Sequence, residues 1–189
     1  MNAILKKLSP SATDLIRADH TRVLGLFHRY SLTARPAVKQ ALVGTVCLAL
    51  EVHAQVEEEI FYPAMEQAGS ELTEELVPEH DEMRALIETL RGMDPADARF
   101  DHTFMDLMRA VIHHVADEET MMLTHAESVL GERLYELGAQ MRRRRLQLTV
   151  PHAAEMARNS TRAAPKTMLM AAGALLAGAA LFRRWRRHA

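Results

Sequence analysis

The sequence predicts an all-α protein, an up-down-up-down four-helix bundle followed by a short extra helix and a C-terminal apolar helix. Three observations lead to this prediction. The 189 residues contain only 8 Gly, 7 Pro and 5% aromatic residues, a composition that favours helices over sheets. Four long segments repeat apolar residues at spacings of three and four, the period of an amphipathic helix. The connections between them are short, so consecutive helices are expected to pack antiparallel.

Turn and cap residues mark the ends of these four helices. Ser9 and Pro10 are expected to begin the first helix, with serine as the cap and proline in the first turn. Pro36 opens the second helix in the same way. Pro78 is expected to kink the third helix or to divide it in two. The predicted helices span residues 10–30, 36–66, 70–91 and 97–128.

Three further segments follow the bundle. Residues 131–148 form a shorter amphipathic helix, and the polar residues 149–165, bounded by prolines, resemble a linker. Residues 167–182 contain no charge and precede the basic run "RRWRR", so we expect a membrane anchor near the lower limit of spanning length. The alternative is a helix packed on the bundle or on another subunit. The predicted domains are the bundle at 11–140, a basic helix end and linker at 141–166, and the anchor at 167–185.

The charge is distributed unevenly along the chain. Residues 1–140 hold 12 Lys/Arg and 24 Asp/Glu, whereas residues 141–189 hold 11 Lys/Arg and one acid. The run "RRRR" at 142–145 suits a helix C-terminus or attraction to anionic lipid. No aromatic platform accompanies it, so nucleic acid is not an expected partner. The single Cys47 and the lack of a secretory signal favour a cytoplasmic bundle, anchored to the cytoplasmic membrane by its C-terminus. Small residues in the anchor segment allow a homodimer.

Histidines and glutamates interrupt the apolar stripes at regular intervals. "HAQVE" at 53–57 and "HVADE" at 114–118 each contain His-x-x-x-Glu, and a lone stripe histidine precedes each by 33 or 34 residues. The bundle is therefore predicted to consist of two copies of one helical hairpin, which brings all four histidines to the same depth. The candidate metal ligands are His20, His53, Glu57, His80, His114 and Glu118.

The combination of these six positions predicts a metal site. Taken singly, a stripe histidine is usually a hydrogen-bonded core residue, and one His-x-x-x-Glu is usually a surface pair. Burying all six without a cation would be very costly. Imidazole and carboxylate ligands together suit iron, manganese or zinc, and Glu57 and Glu118 are the candidates to bridge two ions. Glu58 and Glu119 are expected to be solvated or to support the ligands from outside, and His113 is the weaker alternative to His114.

The motifs "RADH", "HAQVEEEIFYP", "PEHDEM" and "HHVADEE" resemble those of the hemerythrin-like proteins, which carry the HHE cation-binding domain. The resemblance covers roughly residues 11–140. It implies a non-heme di-iron centre held by the six residues, with manganese or zinc as alternatives, that meets O2, peroxide or nitric oxide. Leu76 stands where the oxygen carriers of marine invertebrates have an additional histidine, which argues against reversible O2 transport. Tyr30 and Tyr62 are the oxygen-bearing side chains that could replace that nitrogen.

The expected function is therefore to bind, sense or reductively detoxify O2, peroxide or nitric oxide, with the bundle held at the membrane. Two alternatives stay open at this point. One is a module that binds, stores or senses iron without turnover, and the other is an interaction protein with a structural metal. The sequence does not decide whether the protein is an enzyme.

Overall fold

The computed structural model describes residues 9–163, which are helical almost throughout and contain no strand. Residues 1–8 and the predicted anchor at 167–185 lie outside the described residues. The α-helices are α1 (Ala12–Phe27), α2 (Pro36–Val56), α3 (Tyr62–Gln67), α4 (Thr73–Gly92), α5 (Phe100–Asp117), α6 (Leu123–Leu130), α7 (Arg133–Thr149) and α8 (Ala153–Ala163). The π-helical turns Glu57–Phe61 and Glu118–Met122 join α2 to α3 and α5 to α6, and the 3-10 turn Val150–His152 joins α7 to α8.

The four-helix bundle is confirmed. Its members are α1, the continuous α2–α3 helix, α4 and the continuous α5–α6 helix, and each packs against the next in the chain. Contacts between α1 and α6 close the ring. The predicted extra helix is α7, which packs along α1 and α2.

The start of α1 and the course of α4 differ from the prediction. Ser11, not Ser9, caps α1, because Ser11 and Asp14 form a reciprocal capping box with distances of 3.1 and 2.9 Å. Pro78 lies inside α4 without dividing it. The proline falls in the second turn, so the hydrogen bond that it cannot donate would have gone to the first turn of the helix.

Residues 150–163, which were predicted as a linker, form the 3-10 turn and α8. α8 packs against α2, and Met156 contacts the apolar core. The side chain of Asn159 lies 3.2 Å from the position that a Cβ would take at Gly44, so the missing side chain permits the close approach. The polar composition of the segment did not indicate a helix, because most of α8 is exposed and only one side of it is covered.

The apolar core forms two clusters at different levels of the bundle. Among the described residues, only the continuous helix Pro36–Gln67 is long and apolar enough to cross a membrane, and it is mostly buried in this core. The Phe61 cluster includes Ile16, Val56, Leu76 and Met122, and the Phe104 cluster includes Val23, Leu50, Met83 and Val111. On α1, α2, α4 and α5 a histidine falls between the residues of one cluster and those of the other. The bundle therefore contains a buried polar layer between two apolar layers.

Candidate metal centre

The polar layer brings together all six predicted ligands. The four histidines are between 0 and 3% exposed, and the two glutamates are fully buried. His20 lies on α1, His80 on α4, and each His-x-x-x-Glu spans the junction of an α-helix with a π-helical turn. The prediction that the histidines meet at one depth agrees with ring-centroid distances of 4.6 to 6.2 Å among them.

The contacts of His20 and His80 follow the internal repeat. His20 Nε2 lies 3.1 Å from Glu118, and its counterpart His80 Nε2 lies 3.5 Å from Glu57. Within each His-x-x-x-Glu the nitrogen nearest to the glutamate differs, since Nδ1 of His53 lies 3.2 Å from Glu57 and Nε2 of His114 lies 3.6 Å from Glu118. Two overlapping groups result, each with four ligand atoms within 4.8 Å of one another. One contains His20, His53, His114 and Glu118, and the other contains His53, Glu57, His80 and His114. The arrangement therefore offers room for two neighbouring ions.

Both candidate ligand glutamates, Glu57 and Glu118, begin a π-helical turn that was not predicted from the sequence. Each turn inserts an extra residue, so the buried face moves by one position after the ligand. Consequently Phe61 is fully buried, whereas Ile60 is only partly buried. In the second copy Met122 is fully buried, whereas Met121 is 42% exposed.

A second set of carboxylates holds the outer nitrogens of three histidines. Nδ1–H of His20 donates to Glu119 at 2.8 Å, and that of His80 donates to Glu58 at 2.8 Å. His114 donates in the same way to Glu79 at 2.9 Å. An anionic acceptor requires the proton to be on Nδ1, so Nε2 of each neutral ring presents a lone pair. Such outer carboxylates orient histidine ligands and raise their basicity.

Support from Glu58 and Glu119 was expected from the sequence, whereas the roles of Glu79 and Asp19 were not. Asp19 is the repeat counterpart of Glu79, since both directly precede a stripe histidine. Its carboxylate lies 3.7 Å from His53 Nδ1 and is held by Arg145 of α7. The only indication of these two carboxylates in the sequence is that an acidic residue directly precedes each stripe histidine, in "DH" at 19–20 and "EH" at 79–80.

The inner lone pairs face one another without a proton between them. Nε2 of His80 and Nε2 of His114 are 3.2 Å apart. Since both rings donate through Nδ1, neither Nε2 has a hydrogen to give. Burial, together with His114 and His53, lowers the pKa of His80 to about 2, so protonation does not relieve the contact. A cation bound by both nitrogens would remove the repulsion.

The buried glutamate oxygens also lack partners. Both carboxylate oxygens of Glu57, both of Glu118, and Nε2 of His20 are buried without a hydrogen bond. Buried polar atoms in native proteins are almost always satisfied, and an unpaired buried carboxylate is especially costly. Four such oxygens opposite four imidazoles form a donor set that fits two divalent ions.

Burial and neighbouring charges shift the pKa values within the layer. Burial, with added repulsion from Glu118 and Glu58, raises the pKa of Glu57 well above its ordinary value. Burial opposes ionisation of Glu118 as well, but the nearby rings of His20, His114 and His53 lower its pKa. Burial and the neighbouring His20 lower the pKa of His53 to about 3. The shift therefore favours the protonated form of Glu57 when no cation is bound.

The other candidate side chains have separate positions. His113 is exposed on the surface, with 72% of its side chain accessible, and is not part of the buried layer. Leu76 belongs to the Phe61 cluster. The hydroxyl of Tyr30 donates to Asp101 instead. Tyr62 stacks on His80 with ring centroids 5.6 Å apart, and its hydroxyl is buried without a hydrogen bond.

Replacing Glu57 with glutamine is expected to stabilise the metal-free protein at neutral and alkaline pH while weakening metal binding. The raised pKa means that the contribution of Glu57 to stability is fully present below about pH 4.5 and is lost as pH rises through its folded-state pKa. The loss is about 1.4 kcal/mol per pH unit within that window. Urea unfolding of both metal-free proteins from pH 5 to 8 measures it, and a constant difference between them would contradict the assignment.

Known proteins resemble both the sequence and the fold. The profile described as the hemerythrin HHE cation binding domain matches residues 11–126. A protein of Nostoc sp. named DNA nickase is 33% identical over 110 residues, which cover 58% of this chain and 31% of the relative. The chain thus spans about a third of that relative's length. The fold is also similar to the crystal structure of a hemerythrin HHE cation binding domain-containing protein from Mycobacterium kansasii, with a TM-score of 0.65 at 19% identity. The match covers 79% of this chain and 99% of the Mycobacterium kansasii chain. The profile and the buried His/Glu groups together indicate metal binding.

Proposed function

The chain belongs to the hemerythrin HHE cation-binding domain family, and from this we propose that it holds a non-heme di-iron centre that binds, senses or reductively detoxifies O2, peroxide or nitric oxide. The observation that carries the proposal is the set of four buried, unpartnered carboxylate oxygens facing four histidines. The ligands would be His20, His53, Glu57, His80, His114 and Glu118. Bound iron would supply the redox chemistry, for which an imidazole and carboxylate donor set is suited. Manganese and zinc are the alternative ions.

The protein's own residues would orient the centre and manage its protons. Glu119, Glu58 and Glu79 fix three imidazole rings through their Nδ1–H groups. Burial opposes protonation of His20, but Glu118 and Glu119 raise its pKa above its ordinary value. His20 and Glu57 would therefore release protons when metal binds. Tyr62 keeps a buried hydroxyl beside His80 that has no acceptor within the described protein.

The surroundings of the layer favour small ligands. All six side chains are at most 3% exposed, and apolar clusters lie on both sides of them. A diatomic molecule or peroxide can reach such a position through small fluctuations of the helices, whereas a larger substrate would require the bundle to open. This supports the proposal over a function that processes organic substrates.

Peroxide consumption distinguishes turnover from storage. The iron-loaded full chain is expected to remove hydrogen peroxide or nitric oxide in large molar excess over protein, with a reductant present where required. The His53→Ala, His114→Ala double variant should show only the rate of the buffer. Consumption that stops after one or two equivalents per chain would favour the module that binds iron without turnover. No consumption by a protein that contains two irons would exclude the detoxifying role.

DNA nicking is the activity in the name of the Nostoc relative, and we do not extend it to this chain. The match covers 31% of that protein. Residues 1–140 are strongly acidic, which repels a polyanion. Within the basic run at 142–145, Arg144 pairs with Glu59 and Arg145 with Asp19, so half of its charges are already engaged. We propose that nucleic acid is not a partner.

We also propose that the bundle faces the cytoplasm and is anchored at the membrane by residues 167–185. The support comes from the sequence: sixteen uncharged residues at 167–182, flanked by Lys166 and Arg183, which can extend to the membrane interface. This arrangement would place the centre close to the membrane surface.

A further inference from the structure

A second group of metal-binding side chains lies on the surface beside the buried layer. Glu79 of α4 and His113 and Asp117 of α5 place three ligand atoms within 4.8 Å of one another. His113 Nε2 is 3.8 Å from Glu79 Oε1 and 3.5 Å from Asp117 Oδ2. The buried layer does not use His113 or Asp117. It uses only the other oxygen of Glu79, which accepts from His114.

In the first copy of the internal repeat, the carboxylate that corresponds to Glu79 is paired with a positive charge. Asp19, the counterpart of Glu79, is neutralised by two hydrogen bonds from Arg145. Glu79 has no Lys or Arg partner among the described residues, and its contacts are with the two histidines. In the first copy, the position that corresponds to Asp117 is occupied by the apolar Val56. The second copy thus lacks the arginine that neutralises the carboxylate in the first copy. His113 and Asp117, two additional metal-binding side chains, lie there instead.

The neighbouring space is also suitable for an ion. A cavity of about 20 Å³ borders Glu79 and Asp117, and His113 lies outside its lining. The other lining residues are Glu75, Leu72, Leu76, Met121 and Met122. This volume holds about one water molecule or ion. Three carboxylates around it provide negative charge, and no basic residue contributes to its lining.

We propose that Glu79, His113 and Asp117 form a second, peripheral site for a divalent transition-metal cation such as Zn²⁺, Mn²⁺ or Fe²⁺. One imidazole and two carboxylates suit these borderline ions, and solvent completes the coordination. The site is weaker than the buried one because it has fewer ligands and is open to water. Glu79 joins the two sites, since Oε1 faces the peripheral ion while Oε2 holds His114.

The test is equilibrium dialysis of the full chain against Zn²⁺, with metal analysis of the protein. Relative to the wild type, the His113→Ala, Asp117→Asn variant is expected to lose one weakly bound equivalent and to retain the tightly bound ones. The matched control is His102→Ala, Asp106→Asn. His102 and Asp106 form the same i,i+4 pair on α5 at 3.5 Å, but Asp106 also pairs with Arg109, and no second carboxylate of residues 9–163 forms an ion pair with His102. This control should bind as much zinc as the wild type.

Two results would overturn the proposal: equal zinc binding by the wild type and the His113→Ala, Asp117→Asn variant, or an equal loss in the control. Both histidines are exposed and both aspartates are partly exposed, and circular dichroism verifies that both variants are folded. The comparison does not depend on the buried centre. If the six buried residues bound no metal, the wild type would still exceed the variant by one equivalent.

Discussion

Substituting both His53 and His114 with alanine is expected to abolish binding at the buried centre. These two histidines belong to both four-residue groups, so their removal deprives each group of two nitrogen ligands. Removing two of four ligands leaves a set too small for tight binding of a divalent ion. Metal analysis of the purified double variant should find less than about a tenth of the metal that the wild type holds at the buried centre. Changes to outer-shell residues alone typically lower metal affinity by about 10–100-fold, and loss of the ligands themselves should have a larger effect.

The matched control for this variant replaces two exposed histidines, His28 and His102, with alanine. It carries the same number of substitutions but leaves the buried layer intact, and it should retain the wild-type metal content. Full retention of two ions by the His53→Ala, His114→Ala variant would show that the ligand assignment is wrong.

Removing the metal is expected to lower the stability of the bundle substantially. An ion that binds only the folded state, at a free concentration ~1,000-fold above its Kd, contributes about 4 kcal/mol. For a chain of this length 1 kcal/mol corresponds to roughly 2–4 °C in Tm, so loss of even one ion should lower Tm by about 10 °C. The oxygens of Glu57 and Glu118 that remain buried without a partner are one source of this difference.

Thermal unfolding of the wild type with and without a chelator measures this effect. The His53→Ala, His114→Ala variant should have nearly the same Tm in both conditions, because it has no ion to lose at the buried centre. An unchanged wild-type Tm after verified removal of the metal would mean that the polar layer is stable by itself.

The sequence predicted the bundle and the convergence of its six polar residues because both depend on periodicity. Spacings of three and four place His20, His53, His80 and His114 on the stripes that α1, α2, α4 and α5 turn inward. The near-equal intervals between them predicted a common depth without knowledge of any contact. Once apolar faces define the core, polar residues on those faces must be buried together.

The features that were missed depend on local geometry or on contacts between distant residues. The π-helical turns arise where Glu57 and Glu118 meet the facing helices, and regular periodicity cannot anticipate the one-residue shift to Phe61 and Met122. The pairing of Asp19 with Arg145 joins residues 126 positions apart. The sequence of α8 predicted a linker because a helix that is covered on one side needs few apolar residues, and its periodicity is therefore weak.

The metal content of the full chain, purified without added metal, tests the central claim most directly. The account predicts two tightly bound irons per chain at the buried centre, together with visible absorption that is absent from the His53→Ala, His114→Ala variant. A folded wild-type protein that contains no tightly bound metal, and acquires none when Fe²⁺ is supplied anaerobically, would contradict it.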